Sequence, residues 1–208
     1  MKLFYISLFA FLVSCNSNSK PGTNEDPVSI SGPDSTSISR KETRADSTII
    51  PVSPMAEKIN NILGSTNESA AWHVLNDKEA RWISGQFEYF IAPKRKDNPD
   101  YPYIAAGDFD GDNRPDLAAV VTDSTRVNYQ LVIISDIDSN QKINYWKEDI
   151  LEDAAISTAP KGYIEGTVNE KVKKVKLGSE AIHVEYFEKA SFIIYWNGKS
   201  FKRIQQGD

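Results

Sequence analysis

The chain has a single cysteine, only two histidines and no excess of basic charge, and each scarcity narrows the chemistry open to it. One cysteine leaves no internal disulfide, so stability must come from a packed core and any bound ion. His73 and His183 lack metal-ligand spacing to a partner. His183 in "AIHVEYF" is out of phase with Ile182 and Val184 and reads as a solvent-side strand residue; His73 in "AAWHVL" reads as packed or at the surface. No serine sits in a nucleophile-elbow motif, and no glycine-rich phosphate loop appears. Lysine and arginine number 24 against 29 acids, a net charge of −5. That balance argues against a nucleic-acid partner, because phosphate binding needs a basic patch.

Long apolar runs are missing too. The longest, Leu3 to Val13 behind the single charge of Lys2, is too short for a stable bilayer anchor but suits the core of a signal peptide. It ends in Leu12-Val13-Ser14-Cys15, which resembles the lipobox of bacterial lipoproteins. The resemblance implies cleavage after residue 14 and lipidation of Cys15, which would account for the one thiol and leave none for catalysis. "CNSNSK" carries no aspartate directly after the cysteine. By resemblance to lipoprotein sorting patterns, that favours a lipid anchor in the outer membrane, facing the periplasm.

The expected organisation is a signal peptide over 1–14, a lipidated cysteine with a flexible Ser/Thr/Pro-rich tether over 15–54, and one globular domain over 55–208. The tether has no aromatic residue and no sustained period, so it cannot bury enough surface to offset its ordering entropy. Asn67-Glu68-Ser69 matches an N-glycosylation acceptor. In the domain, "PMAEKINNILGS" places Met55, Ile59, Ile62 and Leu63 on one helical face, with Gly64 as a stop. "NDKEARWISG" reads as a short helix capped by Asn76 or Asp77 and ended by Gly85. "QFEYFIA" reads as a strand, as do "YIAAGDF", "DLAAVVT" and "NYQLVIIS", the last of them central. "KVKKVKL" and "AIHVEYFE" read as a strand pair, and "WKEDILEDAA" as a helix. "SFIIYWNGKSFKRI" is a hairpin with Asn197-Gly198 at a type I′ turn. Together these give an α+β fold, a mainly antiparallel sheet with a few short helices, preceded by a disordered tether.

The chemistry concentrates in "GDFDGDNRPDL", where Asp108, Asp110, Asp112 and Asp116 crowd into nine positions. Four carboxylates this close repel and raise one another's pKa unless a cation joins them. Calcium takes six to eight oxygen ligands at flexible angles, and short aspartates on alternate positions of a tight loop supply them. Gly111 permits the turn, and Pro115 stiffens the exit into the next strand. An EF-hand is ruled out, because Ala119 stands where the twelfth-position glutamate belongs and both flanks read as strands. "AAGDFDGDNRPDLAAVV" resembles the DxDGDxxxD loop of FG-GAP and VCBS-type modules, in the single-copy form of small bacterial exported proteins. The resemblance implies Ca²⁺ held by Asp108, Asp110, Asp112, the carbonyl of Arg114, and Asp116. Asn113 departs from the family's glycine, although asparagine tolerates the left-handed conformation. The alternative is a loop whose aspartates cap backbone amides with no ion. "DIDSNQKIN", Asp136 to Asn144, is a faint echo of the loop and a candidate second site.

Trp72, Trp82, Trp146 and Trp196 could form a sugar-stacking surface, with core packing the better reading for most of them. The lysines of "EKVKKVKL" read as a solvated strand face or edge guard. No catalytic residue is identified. The leading reading is a non-enzymatic envelope lipoprotein with a structural Ca²⁺ loop and a protein partner in the envelope. An inhibitor or immunity-type protein against an envelope enzyme comes next, and a hydrolase last.

Overall fold

In the computed structural model, residues 53–66, 71–148, 150, 152–187 and 189–207 are described, and they belong to one compact unit. The signal peptide, Cys15, the tether up to residue 52 and the Asn67-Glu68-Ser69 acceptor lie outside the described residues.

Helix α1 (Pro54–Gly64) starts where expected. The Ser53 hydroxyl accepts from the Ala56 amide at 3.1 Å, a cap that satisfies one of the orphan donors of the first turn. Ile59, Ile62 and Leu63 are its buried face. A two-residue strand β1 (His73–Val74) follows, then helix α2 (Ile83–Gln86), a π-helical stretch over Phe87–Ile91, and helix α3 (Ala92–Arg95).

The remaining elements are strands. β2 (Ile104–Gly107), β3 (Asp116–Thr122), β4 (Tyr129–Ser135) and β5 (Lys142–Tyr145) complete a first antiparallel sheet in the order β1-β3-β4-β5. β2 shares the β1 edge of β3: Gly107 pairs with Asp116 and Ile104 with Ala119, while β1 takes Val121 and Thr122. The second antiparallel sheet contains β6 (Ala154–Ala159), β7 (Gly162–Val168), β8 (Lys171–Leu177), β9 (Ala181–Tyr186), β10 (Ala190–Trp196) and β11 (Phe201–Gly207). Its order is β6-β9-β10-β11-β7-β8.

The two sheets share one core. Val120 and Ile134 of the first cluster with Ile156, Ile182, Val184, Phe192 and Ile194 of the second. Alternation along β10 turns Ile193 to the opposite face, into a small second cluster with Leu177, Ala181 and Ile204. Between sheets, the Ile156 amide donates to the Pro102 carbonyl at 2.8 Å, and the Thr158 hydroxyl donates to the Ala106 carbonyl at 2.7 Å. These bonds fix the start of the acid loop against the second sheet.

This architecture corrects the α+β expectation: strands dominate in two antiparallel sheets, and the helices are short and few. The helix expected over 76–85 is broken: the Glu79 and Ala80 amides both donate to the Asn76 carbonyl in one turn, helix begins only at Ile83 with α2, and Gly85 lies inside α2 and does not end it. Asp77 is drawn out of a capping role by Arg95, whose two terminal nitrogens meet its carboxylate at 2.7 Å each. No helix forms over "WKEDILEDAA" among the described residues; its last two residues open β6. "QFEYFIA" is helical and not a strand. Its aromatics do not alternate between two sheet faces: Phe90 packs on Phe187 at 5.5 Å, Phe87 lies under Arg95, and Tyr89 is exposed. β8 and β9 are not partners either, since β8 pairs with β7 and β9 sits between β6 and β10. The β10–β11 hairpin forms, but Trp196 pairs with Phe201 across a four-residue loop. There the Asn197 side chain accepts from the amides of Lys199 and Ser200, and only Gly198 takes a positive φ, so the turn is not type I′.

Candidate metal centre in the acid loop

β2 and β3 are adjacent antiparallel strands, so the eight residues from Asp108 to Pro115 must reverse the chain between Gly107 and Asp116. Two positions take the left-handed conformation to do so, Gly111 at φ +82° and Asn113 at φ +65°. The loop is pinned by its one aromatic side chain, Phe109, which is fully buried in the main core. The Ser179 hydroxyl donates to the Phe109 carbonyl at 3.1 Å, and Glu180 accepts from the Asp108 amide at 2.9 Å. Both come from the β8–β9 connection, so the second sheet shapes the loop of the first. Gly107 is small for a reason: a Cβ there would stand 2.9 Å from the Glu180 carboxylate and 2.9 Å from the Phe109 ring.

Asp116 is the buried anchor, fully shielded at the start of β3. One of its oxygens accepts from the Phe109 and Asp110 amides at 2.8 and 3.2 Å, and the other from the Asp136 amide at 3.2 Å. Burial pushes its carboxyl up to about 6, against the pull of these three amides. Asp108 accepts from the Gly111 amide at 2.8 Å and lies 3.5 Å from Lys161 Nζ. Asp110 accepts from the Asp112 amide at 3.3 Å. One oxygen from each of Asp108, Asp110 and Asp116 falls within 4.8 Å of the others. Ligands on opposite sides of a calcium ion stand about twice the 2.3–2.6 Å Ca–O distance apart, so this spacing fits a single cation. The chain therefore holds an acidic triad able to bind a metal ion. It is the one such group found among the described residues.

The other two sequence-expected ligands are differently engaged. Asp112 caps the Arg114 amide at 2.8 Å and takes the Arg114 Nε at 2.7 Å. This guanidinium hydrogen bond, the leading cause, holds the Asp112 carboxyl below the usual range. Arg114 Nε also lies 2.7 Å from the buried Asp136 carboxylate. The Asp136–Asn144 echo is thus bound up with the first loop: Asp136 supports Asp116 and Arg114, and Asp138 pairs with Lys58 at 2.7 Å.

Ser179, Glu180 and Lys161 were not identified from sequence, and Asp136 was read only as part of a second site, not as a support of the first loop. They lie between about 20 and 70 residues from the loop, and a loop motif carries no signal for such distant partners. Compared with known protein families, with curated proteins and with solved structures, the chain matches none.

Proposed function

We propose that this protein is a lipid-anchored envelope module that binds no nucleic acid and performs no catalysis, and whose acid loop holds a structural Ca²⁺ ion. In this reading Cys15 carries the anchor, the outer membrane is the site of attachment, and a protein partner in the envelope is engaged elsewhere on the domain. The resemblance of "DFDGDNRPD" to FG-GAP and VCBS-type loops supplies the choice of calcium. The observation that carries the reading is the convergence of Asp108, Asp110 and Asp116 around one point.

The donor set suits calcium better than magnesium, which demands stricter octahedral geometry and gives up its waters reluctantly. All three donors are hard carboxylate oxygens, with no imidazole or thiolate to favour zinc. Asp112 and the Arg114 carbonyl would complete the shell, with Asp112 exchanging the Arg114 guanidinium for the ion. Bound at the seam of β2, β3 and the β8–β9 connection, the cation would tie the two sheets together by mass action, since it binds the folded chain alone.

Isothermal titration of calcium into EDTA-stripped protein tests the site. The expected result is one ion per chain, lost in Asp110→Ala, with magnesium binding far more weakly. Undiminished calcium binding in Asp110→Ala would contradict the assignment.

A further inference from the structure

A second feature lies away from the acid loop, where the end of the β10–β11 hairpin meets edge strand β5. A cleft of about 480 Å³ opens there, within the usual range for small-ligand sites. Its walls carry two kinds of side chain. The aromatic wall includes Trp146, Trp196 and Phe201. The charged wall carries Lys147, Lys199, Lys202 and Arg203 against one acid among the described residues, Glu148. The chain as a whole is acidic, at −5, so this local excess of positive charge runs against its composition.

The cations are available in different degrees. Arg203 is held by Glu148 and lies 4.1 Å over the Phe192 ring, so its guanidinium is fixed in place. Lys147, Lys199 and Lys202 are exposed and have no ion-pair partner among the described residues. The Trp146 indole N–H is buried without an acceptor, and its ring packs against the main core at the base of the cleft. Trp196 and Phe201 stand edge to face, with centroids 5.0 Å apart at 61°. They touch each other, and no parallel slot between them admits a flat nucleobase. What they offer is a half-exposed ring face, which packs against the C–H face of a sugar. The site is concave with half-buried aromatics, whereas a flat bilayer surface engages aromatics that protrude.

We propose that this cleft binds an acidic saccharide, its sugar ring lying against Trp196 and its carboxylate or sulfate meeting Lys199 and Lys202. Neutral sugars lack the charge, and simple polyanions lack the ring. Binding weakens as salt screens the exposed lysines.

Titrations of the full-length protein, followed by tryptophan fluorescence and calorimetry, test the proposal. The probes are hyaluronate and heparin hexasaccharides, with maltohexaose, tripolyphosphate, an oligothymidylate and phosphatidylglycerol vesicles as comparisons. At least one acidic hexasaccharide binds, and maltohexaose and tripolyphosphate bind at least about tenfold more weakly. Reversing both exposed lysines, Lys199→Glu with Lys202→Glu, weakens saccharide binding about tenfold or more and leaves the melting temperature unchanged. Trp196→Phe weakens it while retaining the hairpin. The proposal is overturned if neither acidic hexasaccharide binds at millimolar concentration, or if the double reversal leaves affinity intact. Equal binding of tripolyphosphate, or tighter lysine-dependent binding of oligothymidylate or vesicles, overturns it as well.

Discussion

β3 and β8 are both seven-residue strands, and each borders a tight reversal of the chain, yet they live in different solvents. Every residue of β3 is buried, from Asp116 to Thr122. In β8 only Leu177 is, with Val172 left 78 % exposed. β3 lies between β4 on one side and β1 and β2 on the other, beneath the shared core. β8 is the outer strand of its sheet, paired with β7 alone, and β7 meets β11 at a single pair, Gln205 with Thr167. The acid loop therefore leaves and re-enters a rigid strand pair, the condition for holding carboxylates within reach of one ion before it arrives. The lysines of β8 need no ligand to explain them; they guard an edge.

The contrast breaks most severely at Asp116. Asp116→Ala leaves three backbone amides without an acceptor in a buried site, a loss of about 3–9 kcal/mol at 1–3 kcal/mol for each orphaned group, read by urea unfolding in EDTA. A loss under about 1 kcal/mol would mean that water replaces the carboxylate and that the loop is not part of the core.

Packing provides a second, paired comparison. Leu117→Ala in β3 should cost about 2–5 kcal/mol, because Leu117 is buried in the main cluster. Val172→Ala in β8 should change stability by less than about 0.5 kcal/mol. Denaturant midpoints of the two variants measure the difference directly. Equal costs would show that the β7–β8 hairpin is as integral to folding as β3.

A smaller effect comes from proton linkage. With metal chelated, Asp116 holds its proton up to about pH 6 in the folded chain, against 3.8 as the ordinary value. Between those values the folded state binds more protons than the unfolded one. Stability in EDTA should then fall as pH rises from about 4 to about 6, and flatten above. Asp116→Asn should abolish that slope. A slope that survives the substitution would assign the titration to another group.

Sequence made the acid loop and its two strands legible because the motif is local: the turn residues, the alternating aspartates and the apolar flanks lie within one continuous stretch. α1, β4 and the terminal hairpin were equally readable, each with a strong period or a turn signal. The failures have a common cause in distant partners. Asp77 looks like a helix cap, yet Arg95 takes it. Phe87 and Phe90 look like strand residues, yet find their contacts at Arg95 and Phe187 along one helical turn. The alternation of "KVKKVKL" predicted a strand correctly but not its partner, because period two specifies faces and not neighbours. The same gap hid Glu180 and Ser179, which hold the acid loop from the other sheet.

The decisive measurement is the melting temperature of the protein in calcium, in magnesium and in EDTA. If the acids of the loop hold a structural calcium ion, calcium raises the melting temperature well above the EDTA value. Magnesium does little, and Asp110→Ala removes the rise. Identical melting in all three conditions would contradict this and leave the loop a capped turn whose carboxylates serve the backbone alone.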